Sequence, residues 1–163
     1  MAKNKEEKTN VMRVLEQKKI AYTAHTYPHE EGVAVDGVTV AQSMGFDPAI
    51  VFKTLVARGA SKQYYVFDVP VAENLDLKKA AKAVGEKSIE MIHQKELLPL
   101  TGYVHGGCSP VGMKKLFPTV FHSSAENLAA MIVSAGKIGY QVELAPHDLA
   151  ALVRAKFADL IAE

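Results

Sequence analysis

The stretch that decides the fold is Val51-Phe52-Lys53-Thr54-Leu55-Val56-Ala57, followed after the turn at residues 58–61 by Tyr64-Tyr65-Val66-Phe67-Asp68-Val69. Both runs are rich in aromatic and β-branched residues, which favour strands. The short turn between them contains Gly59, and this arrangement predicts a β-hairpin.

Helical and strand patterns alternate outward from this hairpin. Apolar spacing predicts helices over 11–19, 38–44, 77–84, 93–98 and 146–157, and alternation predicts strands over 21–27, 89–91, 120–121, 130–133 and 140–144. Pro99 is expected to end the fourth helix. Hairpins outnumber strand–helix–strand units, so the pattern indicates one α/β domain over residues 1–163 with a mixed sheet, preceded by a flexible lead-in over residues 1–9.

Composition restricts the class of function. The 163 residues include 19 Lys+Arg and 18 Asp+Glu, for a net charge of +1. A chain so close to neutral is not typical of a non-specific nucleic-acid binder, although lysines at 78, 79, 82, 114 and 115 could form a local basic strip. The sequence has no long apolar run or secretory leader and only one cysteine, so we expect a cytoplasmic protein without membrane attachment.

Few residues have the spacing of known catalytic groups. The six histidines have no metal-ligand spacing, and no Gly-x-Ser-x-Gly motif is present. Cys108 is a candidate nucleophile because His105 is three residues earlier, but a lone cysteine is more often a small buried apolar residue. The sequence leaves these two interpretations open.

A glycine-rich loop and a strand lysine are the strongest signals. Residues 102–112 read Gly-Tyr-Val-His-Gly-Gly-Cys-Ser-Pro-Val-Gly. Adjacent glycines let main-chain N–H groups converge on an oxyanion or a phosphate, although a tight structural turn needs glycines as well. Lys53 interrupts an apolar strand, so it faces either solvent or a cleft in which it binds negative charge.

These segments together resemble the bacterial Cys-tRNA(Pro) deacylase family of the YbaK/EbsC type, which shares its fold with an editing domain of some prolyl-tRNA synthetases. The matching motifs are His25-Thr26-Tyr27, Val51-Phe52-Lys53-Thr54-Leu55, Leu75-Asp76-Leu77-Lys78-Lys79, residues 102–112 with Lys114-Lys115, Val133-Ser134-Ala135-Gly136-Lys137 and Val142-Glu143-Leu144. The resemblance extends from about Val11 to Ala158.

The resemblance implies an α/β fold with a mixed, barrel-like sheet surrounded by helices, and hydrolytic release of an amino acid from the tRNA 3′ end. It implies catalytic roles for Lys53, Gly106 and Gly107, and substrate-binding roles for Tyr27, Ser109, Ser134 and Gly136. In this family the thiol of the attached cysteine attacks its own ester carbonyl, so no cofactor, metal or protein nucleophile is expected. Cys108 occupies a variable position of the motif and receives no role.

Two departures from the family pattern concern substrate choice. Some members carry an acidic residue at the position of Gln141 and an aromatic residue near Asp36. Four alternatives to a cysteine-specific deacylase remain. They are a deacylase that removes alanine from tRNA(Pro) with water, a non-catalytic module that binds tRNA or a synthetase, a thiol enzyme, and a phosphate-binding protein. The expected partners are the tRNA(Pro) 3′ end and prolyl-tRNA synthetase, and the expected state is a monomer.

Overall fold

The computed structural model describes residues 8–162, and a mixed set of helices and strands forms over this range. The helices are α1 Asn10–Gln17, α2 Gly37–Met44, α3 Leu77–Val84, α4 Gln94–Thr101 and α5 Pro146–Val153, with short 3₁₀ helices at Pro48–Ile50 and Ser123–Asn127. The strands are β1 Thr23–Thr26, β2 Phe52–Gly59, β3 Tyr64–Pro70, β4 Ile89–Met91, β5 Thr119–His122, β6 Met131–Ser134, β7 Tyr140–Leu144 and β8 Lys156–Ala158.

The strands form two sheets. The larger has the order β4-β2-β3-β5-β8 and the smaller the order β1-β7-β6. The β2–β3 hairpin is antiparallel, whereas β5 is parallel to both β3 and β8, so the predicted α/β class with a mixed sheet is confirmed. The sheets do not close into a barrel, since the isolated bridge between Val51 and Ile132 is the one recorded pairing between them among the described residues.

Strand β2 separates two apolar cores. Phe52 and Val56 pack into the larger core, with α1, the glycine loop and α5. Ala57 packs into the smaller core on the other side, with α3 and β4. Because successive strand side chains point to opposite faces, β2 contributes to both cores, and a polar residue in it must find a local partner or a cavity.

Helix α3 forms where the sequence predicts it. The Asp76 side chain accepts hydrogen bonds from the main-chain N–H groups of Lys78 and Lys79, at 2.9 and 3.0 Å. Gly85 ends the helix with φ +75°, a conformation that residues with a side chain rarely adopt. Local capping chemistry therefore determines both ends of α3.

Two predicted helix boundaries are wrong. Helix α4 continues past Pro99 to Thr101, because the Gly102 N–H still bonds to the Leu98 carbonyl and only one helical donor is lost. Helix α5 ends at Val153 rather than residue 157, because Arg154 adopts φ +59° and the chain then forms β8 beside β5.

The predicted lead-in over residues 1–9 falls largely outside the described residues, which begin at Lys8. Thr9 is buried and caps α1, and Lys8 forms a 3.0 Å ion pair with Glu16. In residues 8–162, none of the helices has the length and apolar character that a bilayer crossing requires.

Candidate active site

A cavity of about 520 Å³ lies between the two sheets, next to α2 and the glycine loop. The side chains and glycines that matter for chemistry in its wall are Tyr27, Asp36, Lys53, Thr54, His105, Gly106, Cys108, Ser134 and Gln141. Its volume is in the ordinary range for a small-molecule site. The fold thus brings together residues that are more than 100 positions apart in the chain.

The first half of β2 forms one edge of the cavity. Val51 and the next four residues, through Leu55, all line it. The side chains of consecutive strand residues point to opposite faces of a sheet. Five consecutive residues of this segment can therefore line one cavity only if the cavity lies along the edge of the strand. This edge is open because β4 pairs with β2 only from Ala57 to Gly59.

Lys53 is half-buried at this edge, and the structure places it in the cleft rather than on an open sheet face. Burial lowers the pKa of the Lys53 ammonium, while the nearby carboxylates of Asp36 and Glu73 oppose that shift. Asp36 also caps α2 through the Thr39 N–H, at 3.1 Å. Within residues 8–162, Lys53 forms no ion pair, so its charge is available to an anionic ligand.

Tyr27, which follows β1, and Ser134, the last residue of β6, line the cavity at the ends of two strands of the smaller sheet. Tyr27 is buried, and its main-chain N–H bonds to the Gly139 carbonyl at 2.9 Å. The Ser134 hydroxyl accepts a 3.1 Å hydrogen bond from the Gly136 N–H, which fixes the turn after β6. Gly136 has φ +93° and packs against Tyr103, and it is not among the residues lining the cavity.

The two adjacent glycines of the loop differ in their access to the cavity. Gly106 lines it at φ +89°, and a Cβ there would lie 2.7 Å from the Ala34 side chain. The Gly107 N–H donates to the Val104 carbonyl at 2.9 Å within the loop. That donor is already engaged and Gly107 does not line the cavity, so of the two glycines only Gly106 presents its main chain to the cavity.

Ser109 lies beneath the loop rather than in the cavity wall. It is fully buried, and its hydroxyl accepts a 3.2 Å hydrogen bond from the Val111 N–H. The Ser-Pro part of the motif therefore stabilises the turn. A direct substrate contact by Ser109 has no support in this geometry.

Cys108 lines the cavity but is not an activated thiol. Burial, followed by the nearby charge of Asp68, raises its pKa to about 12. The thiolate is the nucleophilic form of cysteine, so very little of it is present at neutral pH. The cavity thus lacks the activated thiolate that the thiol-enzyme alternative requires.

Asp68 is a feature that the sequence reasoning missed. It is fully buried, its Oδ1 accepts a 2.5 Å hydrogen bond from the Thr54 hydroxyl, and its Oδ2 has no hydrogen-bond partner among the residues that the structure describes. Burial raises its pKa to about 7. The signal was visible, since Asp68 interrupts its apolar strand just as Lys53 interrupts the neighbouring one.

Gln141, unlike Asp68, lies in the cavity wall, and it too has an unpartnered polar atom. Its side chain is buried, and among the described residues Oε1 accepts no hydrogen bond. A buried acceptor of this kind normally accepts a hydrogen bond from a ligand or a water molecule.

In the part of the chain that the structure describes, no cluster of three or more His, Cys, Asp or Glu residues could hold a metal ion.

This cavity combines the main chain of Gly106 with a lysine that has no ion-pair partner within the described part of the chain, and its thiol is not activated. It is therefore suited to holding an ester next to a negatively charged group. Residues 32–152 match the family model of the aminoacyl-tRNA editing domain, and the chain belongs to this family. It is 45% identical over 161 residues, or 98% of each chain, to the Enterococcus faecalis protein named "Putative Cys-tRNA(Pro)/Cys-tRNA(Cys) deacylase EbsC".

Solved structures agree with this assignment. The chain resembles a structure titled "Crystal structure of a putative trans-editing enzyme for prolyl tRNA synthetase" with a TM-score of 0.79 and 26% identity, over 94% of this chain and 95% of the other. A scaffold protein from a study of computational epitope grafting superposes with a TM-score of 0.81 and 25% identity, over 94% and 95% of the two chains.

Proposed function

We propose that this protein is a trans-editing deacylase that releases cysteine from mischarged Cys-tRNA(Pro), and also from Cys-tRNA(Cys). The observation that carries the proposal is a cavity with a glycine loop and a lysine that forms no ion pair within residues 8–162, but with no activated thiolate. The near full-length similarity to a relative named for this activity supports the same substrate.

The reaction needs no nucleophile from the protein if the substrate supplies its own. The thiol of the esterified cysteine attacks its own carbonyl carbon, a C–S bond forms, and the C–O bond to the ribose breaks. The leaving ribose oxygen takes the proton that the thiol loses, and water then opens the cyclic thioester to free cysteine. The protein contributes by orienting the ester and stabilising the oxyanion, effects that are each worth several kcal/mol.

The cavity residues then have separate tasks. Lys53 binds the anionic end of the tRNA or the developing oxyanion. Because Gly106 lines the cavity, we assign its main-chain N–H to the oxyanion, and we assign Tyr27 and Ser134, which also line it, to the terminal nucleoside. The buried thiol of Cys108 packs as an apolar wall residue.

Recognition of the tRNA body requires help from outside the cavity. With a net charge of +1, the chain neutralises few phosphates and so binds tRNA weakly by itself. We propose that prolyl-tRNA synthetase presents the mischarged tRNA to a monomeric deacylase in the cytoplasm.

Ester cleavage on defined substrates tests the function. The protein is incubated with Cys-tRNA(Pro), Cys-tRNA(Cys) and Ala-tRNA(Pro), and the remaining aminoacyl ester is measured over time. We expect rapid loss of both cysteinyl esters and little loss of the alanyl ester. We also expect Cys108→Ser to retain most of the activity, because the thiol is protonated in the wild-type protein.

Each alternative has its own result in this assay. Faster loss of the alanyl than of the cysteinyl ester indicates water as the nucleophile and an alanine-specific enzyme. Loss of activity in a folded Cys108→Ser variant indicates a thiol enzyme. Absence of turnover with every charged tRNA indicates a binding module and overturns the proposal.

A further inference from the structure

Asp68 is a buried carboxylate with only one of its two oxygens hydrogen-bonded. It is fully buried on β3, and within residues 8–162 its Oδ2 accepts no hydrogen bond. A buried charge without full hydrogen bonding is destabilising. The residue that Asp68 does contact, Thr54, lines the active-site cavity.

The hydrogen bond between these residues has a defined direction. Thr54 and Asp68 are directly paired across β2 and β3, and their side-chain oxygens are 2.5 Å apart. An ionised carboxylate can only accept, so the Thr54 hydroxyl must donate its hydrogen to Asp68. The Thr54 oxygen then keeps only its lone pairs for the cavity, where it acts as an acceptor beside a buried negative charge.

This arrangement suits a cationic donor, and an aminoacyl ester carries one in its α-ammonium group. Resting on the proposed function, we propose that Thr54 binds the α-ammonium of the aminoacyl ester and that Asp68 is the positioning residue that orients the Thr54 hydroxyl and attracts the cation. Lys53 precedes Thr54 on β2, so its side chain points away from that of Thr54. The lysine thus binds the anionic part of the substrate while the threonine binds the cationic part.

Other groups around Asp68 do not compete for this role. At the positions paired with it, β2 presents Thr54 and β5 presents Phe121, neither of which titrates. The glycine loop presents Cys108, whose raised pKa of about 12 keeps the thiol neutral. The charge of Asp68 is thus directed to the cavity through Thr54.

Two substrates separate binding of the ammonium from general support of the site. One is cysteinyl-tRNA, and the other is the same tRNA esterified with 3-mercaptopropionate, which keeps the reactive thiol and lacks the amino group. For Thr54→Val and Asp68→Asn, we expect kcat/KM for the cysteinyl ester to fall about 10- to 100-fold, as for loss of a charge-assisted hydrogen bond. We expect less than about a twofold change for the desamino ester, which makes no such bond.

Matched variants and a pH profile complete the test. Thr54→Ser keeps the hydroxyl group and should retain the activity that Thr54→Val loses. Thr119→Val should leave the activity unchanged, because Thr119 is also buried but bonds to Phe117 outside the cavity. From about pH 5 to pH 7, where the α-ammonium of the substrate keeps its proton, the wild-type preference for the cysteinyl ester should rise as Asp68 ionises, and Asp68→Asn should lack this rise.

Different outcomes would contradict the role of the Thr54–Asp68 pair and the proposed deacylase function. Equal losses on both substrates, or a rise with pH that persists in Asp68→Asn, would mean that the pair only supports the fold. Absence of turnover with either substrate in the wild-type protein would instead overturn the proposed deacylase activity.

Discussion

Lys53 has a lower cost of desolvation on ligand binding than an ordinary surface lysine. Its ammonium is half-buried and already depressed in pKa, and no ion pair with it is found in residues 8–162. A cation in such a site interacts more strongly with substrate charge than one in bulk water. The position of the residue explains why one substitution there should affect the reaction rather than the fold.

We expect Lys53→Ala to lower kcat/KM for Cys-tRNA(Pro) by about 10²- to 10³-fold, the usual effect of losing one group that stabilises transition-state charge. The melting temperature should stay the same or rise, because a partly buried charge is removed. Single-turnover deacylation and thermal unfolding measure the two effects. Lys87→Ala, at an exposed lysine, serves as the control. Full activity of Lys53→Ala would contradict the assigned role.

For Asp68, the prediction concerns the stability of the folded protein rather than the reaction rate. Its pKa of about 7 in the folded protein is above the unfolded value of about 3.9, so the folded state holds the proton more tightly. The contribution of Asp68 to stability is therefore most favourable below pH 4, falls as pH rises towards 7, and is constant above that. The loss amounts to a few kcal/mol at most, at about 1.4 kcal/mol per pKa unit.

Urea unfolding of the wild-type protein and Asp68→Asn at pH 5 and pH 8 measures this effect. The wild-type protein should lose more stability between the two pH values than the variant does. Asp159→Asn is the matched control: Lys79 lowers the pKa of this exposed carboxyl, so it is ionised at both pH values and its removal should leave the change between them as in the wild-type protein. An equal change with pH in Asp68→Asn and wild type would show that Asp68 ionises normally.

At the scale of elements, the glycine loop and the open edge of β2 create the site. β4 is too short to cover β2 beyond Ala57, and the loop approaches the uncovered residues from the other side. Gly106 allows that approach because its φ is +89° and because a Cβ at this position would lie only 2.7 Å from the Cβ of Ala34. The loop conformation is thus tied to one glycine.

Gly106→Ala should therefore reduce turnover by about 10- to 100-fold through displacement of the main-chain donor. Strain at positive φ should lower stability by about 1–2 kcal/mol. Deacylation rates and urea unfolding test both. Gly32→Ala is the control for strain alone, since Gly32 also has positive φ but would meet no neighbour. If Gly32→Ala and Gly106→Ala had equal rates, the loop would not be part of the site.

At the scale of the whole molecule, charge sets how the protein meets its substrate. With 19 basic and 18 acidic residues, the chain has little net attraction for a polyanion. We expect the dependence of log KM on log salt to have a slope of about 1–2, as for a few contacts to a single-stranded end. Addition of prolyl-tRNA synthetase should lower KM for Cys-tRNA(Pro). A steep slope without the synthetase would indicate an extensive tRNA surface on this chain.

The sequence by itself determined the local features of this protein. Strand composition determined the central hairpin, Asp76 and Gly85 determined α3, and Lys53 was identified because a charge in an apolar strand needs a reason. These features depend on residues within a few positions of one another. Local propensity and capping are therefore sufficient to predict them.

Only the tertiary structure decided which candidates reach the cavity. Lys53, Tyr27, Ser134 and Gly106 line it, whereas Gly107, Ser109 and Gly136 satisfy local turns. The sequence likewise did not reveal that Asp68 lies beneath Thr54, because that contact depends on the register of two strands. Burial and hydrogen-bond partners are set by chain packing over long sequence separations, and motif spacing does not encode them.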